Sequence, residues 1–258
     1  MTTQPKADIR ATIERPSWVV RPGVRFPHWP SIQSPAAETA LRDILDLLKI
    51  EKCWRGYGET EDKVRRLLLG HYGAIGSAPT LEALAAMTRM TADTVREALL
   101  SLRERDLVVF DPAEDRIAGA YPFTERDSGH RVQLGGAVAN AMCAIDALGA
   151  GAMFDRDASV ASRCRACAAP IRIKTAKRGT ALASIAPAAA VVWSGLSYAD
   201  NCAASSLCTV IAFFCSDAHL DAWRTVNHPG TKGHRLSIAE AHEVGMAIFR
   251  PMLAVADW

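Results

Sequence analysis

Cys143 and Asp146 stand three residues apart in Met142-Cys143-Ala144-Ile145-Asp146. On a helix that spacing puts a thiol and a carboxyl on one face. The alanines and glycines around them leave a small site able to accept a ligand. Taken alone, so short a motif reads first as a buried cysteine beside a solvated aspartate. A second thiol, Cys208, opens the run Leu207-Cys208-Thr209-Val210-Ile211-Ala212-Phe213-Phe214-Cys215 at the mouth of a strongly apolar strand. By itself it reads as a core residue. A third feature is the C-x-x-C of Cys164 and Cys167. With a second pair elsewhere it would indicate structural zinc, but Cys202, Cys208 and Cys215 are single, so a four-thiolate site is possible but unforced and a buried structural Cys164 is the preferred reading. His219, His228, His234 and His242 are scattered and read as surface or core histidines.

Seven cysteines make an odd count, and six of them lie in the second half of the chain. In a reducing compartment such a cluster indicates metal or thiol chemistry before disulfides. A cytoplasmic location is expected, because the N-terminus, MTTQPKADIRATIERP, lacks the apolar core of a signal peptide. No 18-residue apolar window is present, so no membrane partner is expected. The 258 residues suffice for a sizeable core, and 49% hydrophobic with 22% charged residues is an ordinary globular balance. A formal net charge of +2 gives no bulk attraction for nucleic acid.

Three segments must position the candidate groups. Residues 1–35 carry six prolines, which argues for an extended or disordered arm that packs through Trp18, Phe26 and Trp29. Residues 36–124 are helical. Apolar spacing predicts helices over 36–53, 60–69, 80–87 and 91–105, with Thr80 and Thr91 as N-caps. Strands at 107–110 and 116–121 follow, so the segment reads as winged-helix-like. Residues 125–258 read as a compact α+β domain with an antiparallel sheet and flanking helices. Within it, a helix is predicted over 134–149 and strands over 158–162, 171–174, 188–192 and 209–215. Helices near 217–226 and 237–253 complete it.

The blocks taken together resemble the alkylmercury lyase (organomercurial lyase) family. Cys143-Ala144-Ile145-Asp146 is similar to its Cys-Ala-Leu-Asp-like catalytic stretch, and Cys208 before Phe213-Phe214 to its second catalytic cysteine. Between them, residues 160–170 resemble its Val-Ser-Ser-x-Cys-x-Ala-x-x-x-Pro-like block. The resemblance spans about residues 60–253. Departures at Met142, Cys167, Thr209, Val210 and Ala212 surround the three central groups without replacing them.

The resemblance implies protonolysis of carbon–mercury bonds, with Cys143 and Cys208 as thiolates on the soft metal and Asp146 as general acid. The same three residues would hold the product Hg(II). No resident cofactor is implied. A low-molecular-weight thiol is the expected co-reactant, and a mercuric reductase or cellular thiols the expected recipients of Hg(II). Cys164 and Cys167 gain a further reading as a mercury relay. Two rival functions remain: a winged-helix regulator sensing a thiophilic metal, and a relative acting on an organotin or other organometal. The regulator reading is weakened by α-helical residues 91–105, where Arg96, Arg103 and Arg105 are offset by Asp93, Glu97 and Glu104.

Overall fold

The computed structural model describes residues 15–227 and 230–254. Its first element is a hairpin, β1 (Trp18–Arg21) and β2 (Val24–Phe26), whose Trp18, Val20 and Phe26 are buried. Arg21 fastens the hairpin to the body. Its guanidinium donates to Asp62 Oδ1 at 2.6 Å and to the Ala254 carbonyl at 2.6 Å, near the far end of the chain. Within the expected arm, residues 18–32 are therefore packed, Trp29 included, while residues 1–14 lie outside the described residues.

The helices follow their signals. Ser34 caps α1 (Pro35–Leu47) by accepting from the Ala37 amide at 3.3 Å. The single helix expected over 36–53 breaks at Lys49, which adopts a left-handed conformation (φ 50), and restarts as α2 (Ile50–Trp54). α3 (Glu59–Ile75) ends at Gly76. Thr80 and Thr91 cap α4 (Leu81–Thr88) and α5 (Ala92–Glu104), each hydroxyl accepting a backbone amide at 3.2 Å.

The remaining strands form two antiparallel sheets. The larger contains β3 (Val108–Asp111), β4 (Arg116–Ala120), β5 (Phe123–Thr124), β6 (Arg131–Leu134), β7 (Ala137–Ala141), β8 (Ala158–Arg163), β9 (Pro170–Ala176) and β10 (Ala181–Ala186). Its order is β10-β9-β8-β6-β7-β5-β4-β3. The β3–β4 hairpin is thus the edge of this sheet, which runs through residue 124 without a break. β8 and β9 alternate buried and exposed residues, the signature of a sheet with one wet face.

α6 (Ala144–Met153) lies between the sheets, and all ten of its residues are buried. The smaller sheet has the order β12-β11-β13, from β11 (Val191–Gly195), β12 (Ile211–Phe214) and β13 (Gly233–Ser237). α7 (Asp217–Asn227) and α8 (Ile238–Leu253) complete the fold. The architecture is therefore mixed, with antiparallel sheets and flanking helices.

α6 and α8 touch backbone to backbone. A Cβ on Gly149 would stand 2.6 Å from the Gly245 carbonyl oxygen, and one on Gly245 would stand 2.8 Å from the Gly149 nitrogen. Side chains at either position would separate the helices.

Two expectations near the chemistry are corrected. The predicted helix over 134–149 is β7, a bend and the start of α6. Gly135, at φ 60, turns β6 back into β7, and Ala137, Ala139 and Ala141 face inward with period two. The strand predicted over 209–215 begins only at Ile211, because residues 207–210 form a 3₁₀ turn. The strand predicted over 188–192 likewise lies slightly later, at Val191–Gly195.

Candidate active site

Cys143 is the N-cap of α6. It is extended (φ −149, ψ −178), and its Sγ accepts from the Asp146 amide at 3.4 Å. A sulfur at a helix N-terminus meets unpaired N–H groups and the positive end of the macrodipole. Asp146, in the first turn, brings its carboxylate to the same end of the helix. Cys208 comes from the 3₁₀ turn before β12, and its thiol points at Asp146 Oδ2, 3.7 Å away. The two sulfurs and the carboxylate lie within 4.8 Å of one another. The structure therefore brings together the three residues singled out in the sequence, although Cys143 caps the helix and does not lie within it.

All three are nearly solvent-free, Cys143 at 2%, Asp146 at 6% and Cys208 at 6% exposure. Burial raises Asp146 from 3.8 to about 7, against the hydrogen bonds from Cys143 and Cys208 that lower it. Cys208 is raised well above an ordinary thiol, first by its hydrogen bond to Cys143, then by burial and the Asp146 charge. Burial is the largest influence raising Cys143. Near neutrality the site thus keeps its thiols uncharged and its carboxyl poised between its two protonation forms. An arriving soft cation supplies the charge that turns thiols into thiolates.

Beside these groups is a cavity of about 50 Å³ with a largely aliphatic and aromatic wall. α1 contributes Ile44, its C-cap Leu48, α2 Trp54, and α8 Ile248 and Phe249. The helical segment therefore forms part of the site's wall. Apart from the three central groups, the acidic or hydroxyl side chains lining it are Asp106 and Tyr121.

Sequence reasoning missed that pair. Asp106 accepts from Tyr121 Oη at 2.7 Å, Tyr198 Oη at 3.2 Å and the Ala203 amide at 2.8 Å, while Tyr121 Oη accepts from the Ala204 amide at 2.8 Å. Burial nevertheless raises the Asp106 pKa. This network ties the loop that carries Cys208 to the end of α5. No local sequence signal marks it, because its partners are 15 to 97 residues apart.

A second group forms around the C-x-x-C. Cys164 and Cys167 lie on the turn between β8 and β9, Cys215 follows β12, and His219 is in the first turn of α7. Their four ligand atoms also lie within 4.8 Å of one another. Burial would raise Cys164, but amides of Cys215, Cys167 and Ala166 hold it down at about 6. The signal for this cluster was the i, i+4 spacing of Cys215 and His219, visible only once β12 was seen to end beside the C-x-x-C. Cys53 and Cys202 belong to neither group. His234 pairs with Asp43 at 2.7 Å, His242 meets the Gly179 carbonyl, and His228 lies outside the described residues.

The family model for alkylmercury lyase matches residues 123–250. An alkylmercury lyase of Streptomyces lividans is 28% identical over 180 residues, covering 70% of this chain and 79% of that protein. One of Bacillus cereus is 26% identical over 170 residues, covering 66% and 73%. The solved mercury-bound form of MerB2 shares the fold with a TM-score of 0.67 at 24% identity, covering 84% of this chain and 100% of that one. The matched span contains both sulfur groups, and over it the chain is similar to the alkylmercury lyases.

Proposed function

We propose that this protein is an organomercurial lyase that cleaves R–Hg bonds by protonolysis, with Cys143, Cys208 and Asp146 as its working groups. The observation that carries this reading is two thiols and a raised-pKa carboxyl at one wall of an apolar cavity.

Each step follows from those groups. Cys143 attacks R–Hg–X, and X⁻ departs with the Cys143 proton as H–X. Cys208 then binds mercury as the second thiolate, raising electron density on the metal and passing its own proton to the ionised Asp146 carboxylate. As the Hg–C bond breaks heterolytically, its electron pair leaves with carbon and takes the Asp146 proton. R–H is released, and no atom changes its electron count by redox. Hg(II) stays on two sulfurs and the carboxylate until external thiols take it and return protons to the cysteines. The dry site helps, because a carboxyl with a pKa of about 7 can accept a thiol proton and hand it on to carbon near neutrality. Two thiolates suit mercury better than oxygen donors do.

Small-thiol assistance and delivery of Hg(II) to a mercuric reductase or cellular thiols belong to the same proposal, as does action in the cytoplasm. Among the described residues, no helix is long and apolar enough to cross a membrane. The regulator reading has less support. On α5, Arg96 is held by Asp115 at 2.6 Å and Asp93 at 2.8 Å, so its charge is offset where phosphate would be met.

The direct test is incubation of the purified protein with methylmercury and excess thiol. Stoichiometric methane in the headspace, with Hg(II) recovered on thiol, is the expected result. Mercury binding without methane would remove the lyase reading.

A further inference from the structure

We propose that Cys164, Cys167, Cys215 and His219 form a structural zinc site, separate from the carbon–mercury chemistry. The donor set carries the inference. Three thiols and an imidazole are a closed tetrahedral zinc set, with no position left for substrate. Around such an ion, sulfurs at about 2.3 Å and nitrogen at about 2.0 Å lie roughly 3.5–3.8 Å from one another. Here Cys167 Sγ is 3.8 Å from Cys215 Sγ, and Cys164 Sγ is 3.8 Å from His219 Nδ1. The Cys215 Sγ–His219 Nδ1 contact, at 2.9 Å, is the one that must open on metal entry.

The backbone is arranged for the same purpose. The Ala168 amide donates to the Cys164 carbonyl at 2.9 Å and the Cys164 amide to the Ala169 carbonyl at 2.8 Å, closing a tight turn that presents both thiols. Ala168 holds the left-handed conformation that the turn requires (φ 58). Ser216 Oγ accepts from the His219 amide at 3.3 Å and fixes the ring's helix. Cys164 is buried, whereas Cys167 is exposed and offers an entry path for the ion. The 3.8 Å between Cys167 and Cys215 is too long for a disulfide, whose S–S bond is about 2.05 Å.

The ion would cross-link two parts of the fold. It joins the β8–β9 turn of the large sheet to the end of β12 and the start of α7. A hairpin turn of the large sheet would then be anchored to an edge strand of the small one, and β12 is the strand that Cys208 precedes.

The test uses the full-length protein, purified under reducing conditions without chelator, and reads its metal content by mass spectrometry. One zinc per chain is expected. After chelation, Co(II) should restore a tetrahedral spectrum with sulfur-to-metal charge transfer. Cys167→Ser removes an exposed ligand and should weaken the metal by more than about tenfold. His219→Cys preserves a four-donor set and should keep cobalt, with added sulfur-to-metal intensity. Cys208→Ser should leave the cobalt spectrum unchanged. Freshly purified wild-type protein that lacks zinc and shows no cobalt charge transfer overturns the proposal. So does a site that accepts only Hg(II), which would make it a mercury relay. Loss of cobalt in Cys208→Ser but not in Cys167→Ser would assign the metal to the other cluster.

Discussion

The two sulfur groups of this chain use the same residue type in opposite settings. Around Cys143 and Cys208 the protein supplies two thiols, one carboxyl and an apolar cavity. Around Cys164 it supplies three thiols and an imidazole, with one thiol at the surface and no comparable cavity lined by them. The first group has room for a reacting molecule and a group able to give up a proton. The second has a complete set of soft donors and no proton donor suited to carbon. The two clusters differ in the fourth position, which His219 fills in one, whereas the other has three candidate donors.

That contrast can be broken first at the open cluster. Cys143→Ser should abolish hydrocarbon release, because a hydroxyl is a far poorer ligand for a soft metal. Turnover within about tenfold of the parent would end its assignment as the capturing thiol. Cys167→Ser, by contrast, should still turn over and should show its defect in metal content and thermal stability.

Next in size is the proton. Asp146→Ala keeps both sulfurs and should retain organomercurial one-to-one by mass spectrometry, yet release about 10²–10⁴-fold less hydrocarbon. Cleavage at the parental rate would place the proton donor elsewhere. Failure to bind would make Asp146 a purely structural residue.

A third measurement concerns pH. With Asp146 raised to about 7, the folded state holds a proton that the unfolded chain has already lost. Its contribution to stability is complete below the ordinary carboxyl value of 3.8 and is lost as pH rises through about 7. At about 1.4 kcal/mol per tenfold change in proton affinity, the loss is at most about 4 kcal/mol. Denaturant midpoints taken between these limits should fall with pH in the parent and stay flatter in Asp146→Asn. Equal slopes would show that Asp146 is not buried as a neutral acid.

The smallest effect is expected at Tyr121. Tyr121→Phe removes the hydroxyl that bridges Asp106 and the Ala204 amide, a loss of about 1–2 kcal/mol in chemical denaturation. If the bridge holds the Cys208 loop in place, hydrocarbon release should also fall severalfold while Cys143 remains reactive to thiol reagents. Unaltered kinetics would confine the bridge to stability.

The sequence marked the central residues more clearly than the structure around them. Cys143 and Asp146 are neighbours under either local geometry, because an N-cap and the third residue of its helix face each other as two residues of one turn do. The error over 134–149 was therefore harmless to the site but real for the fold. In Ala137-Val138-Ala139-Asn140-Ala141 the inward residues are all alanine, so strand alternation is faint and the small residues read as helix. Cys208 was legible only as part of an apolar run. Its 3₁₀ turn depends on Asp106 and Tyr121, which belong to another segment. The histidine of the second cluster was hidden for the same reason, since His219 acquires its meaning from a turn 55 residues earlier.

The close seat of Gly149 on Gly245 has a consequence for how this enzyme can change over evolutionary time. α8 presses on α6 with Gly245, and one turn later lines the cavity with Ile248 and Phe249. The helix that sets the size of the acceptable organic group is thus the same rigid rod that sets where Asp146 stands relative to the sulfurs. Trimming Phe249 would enlarge the chamber, but it would also remove the ring packed beside Gly149 and loosen the helix that carries Asp146. Ile44 and Leu48, on a helix that does not carry that glycine contact, offer a route to a broader substrate range at a smaller loss of rate.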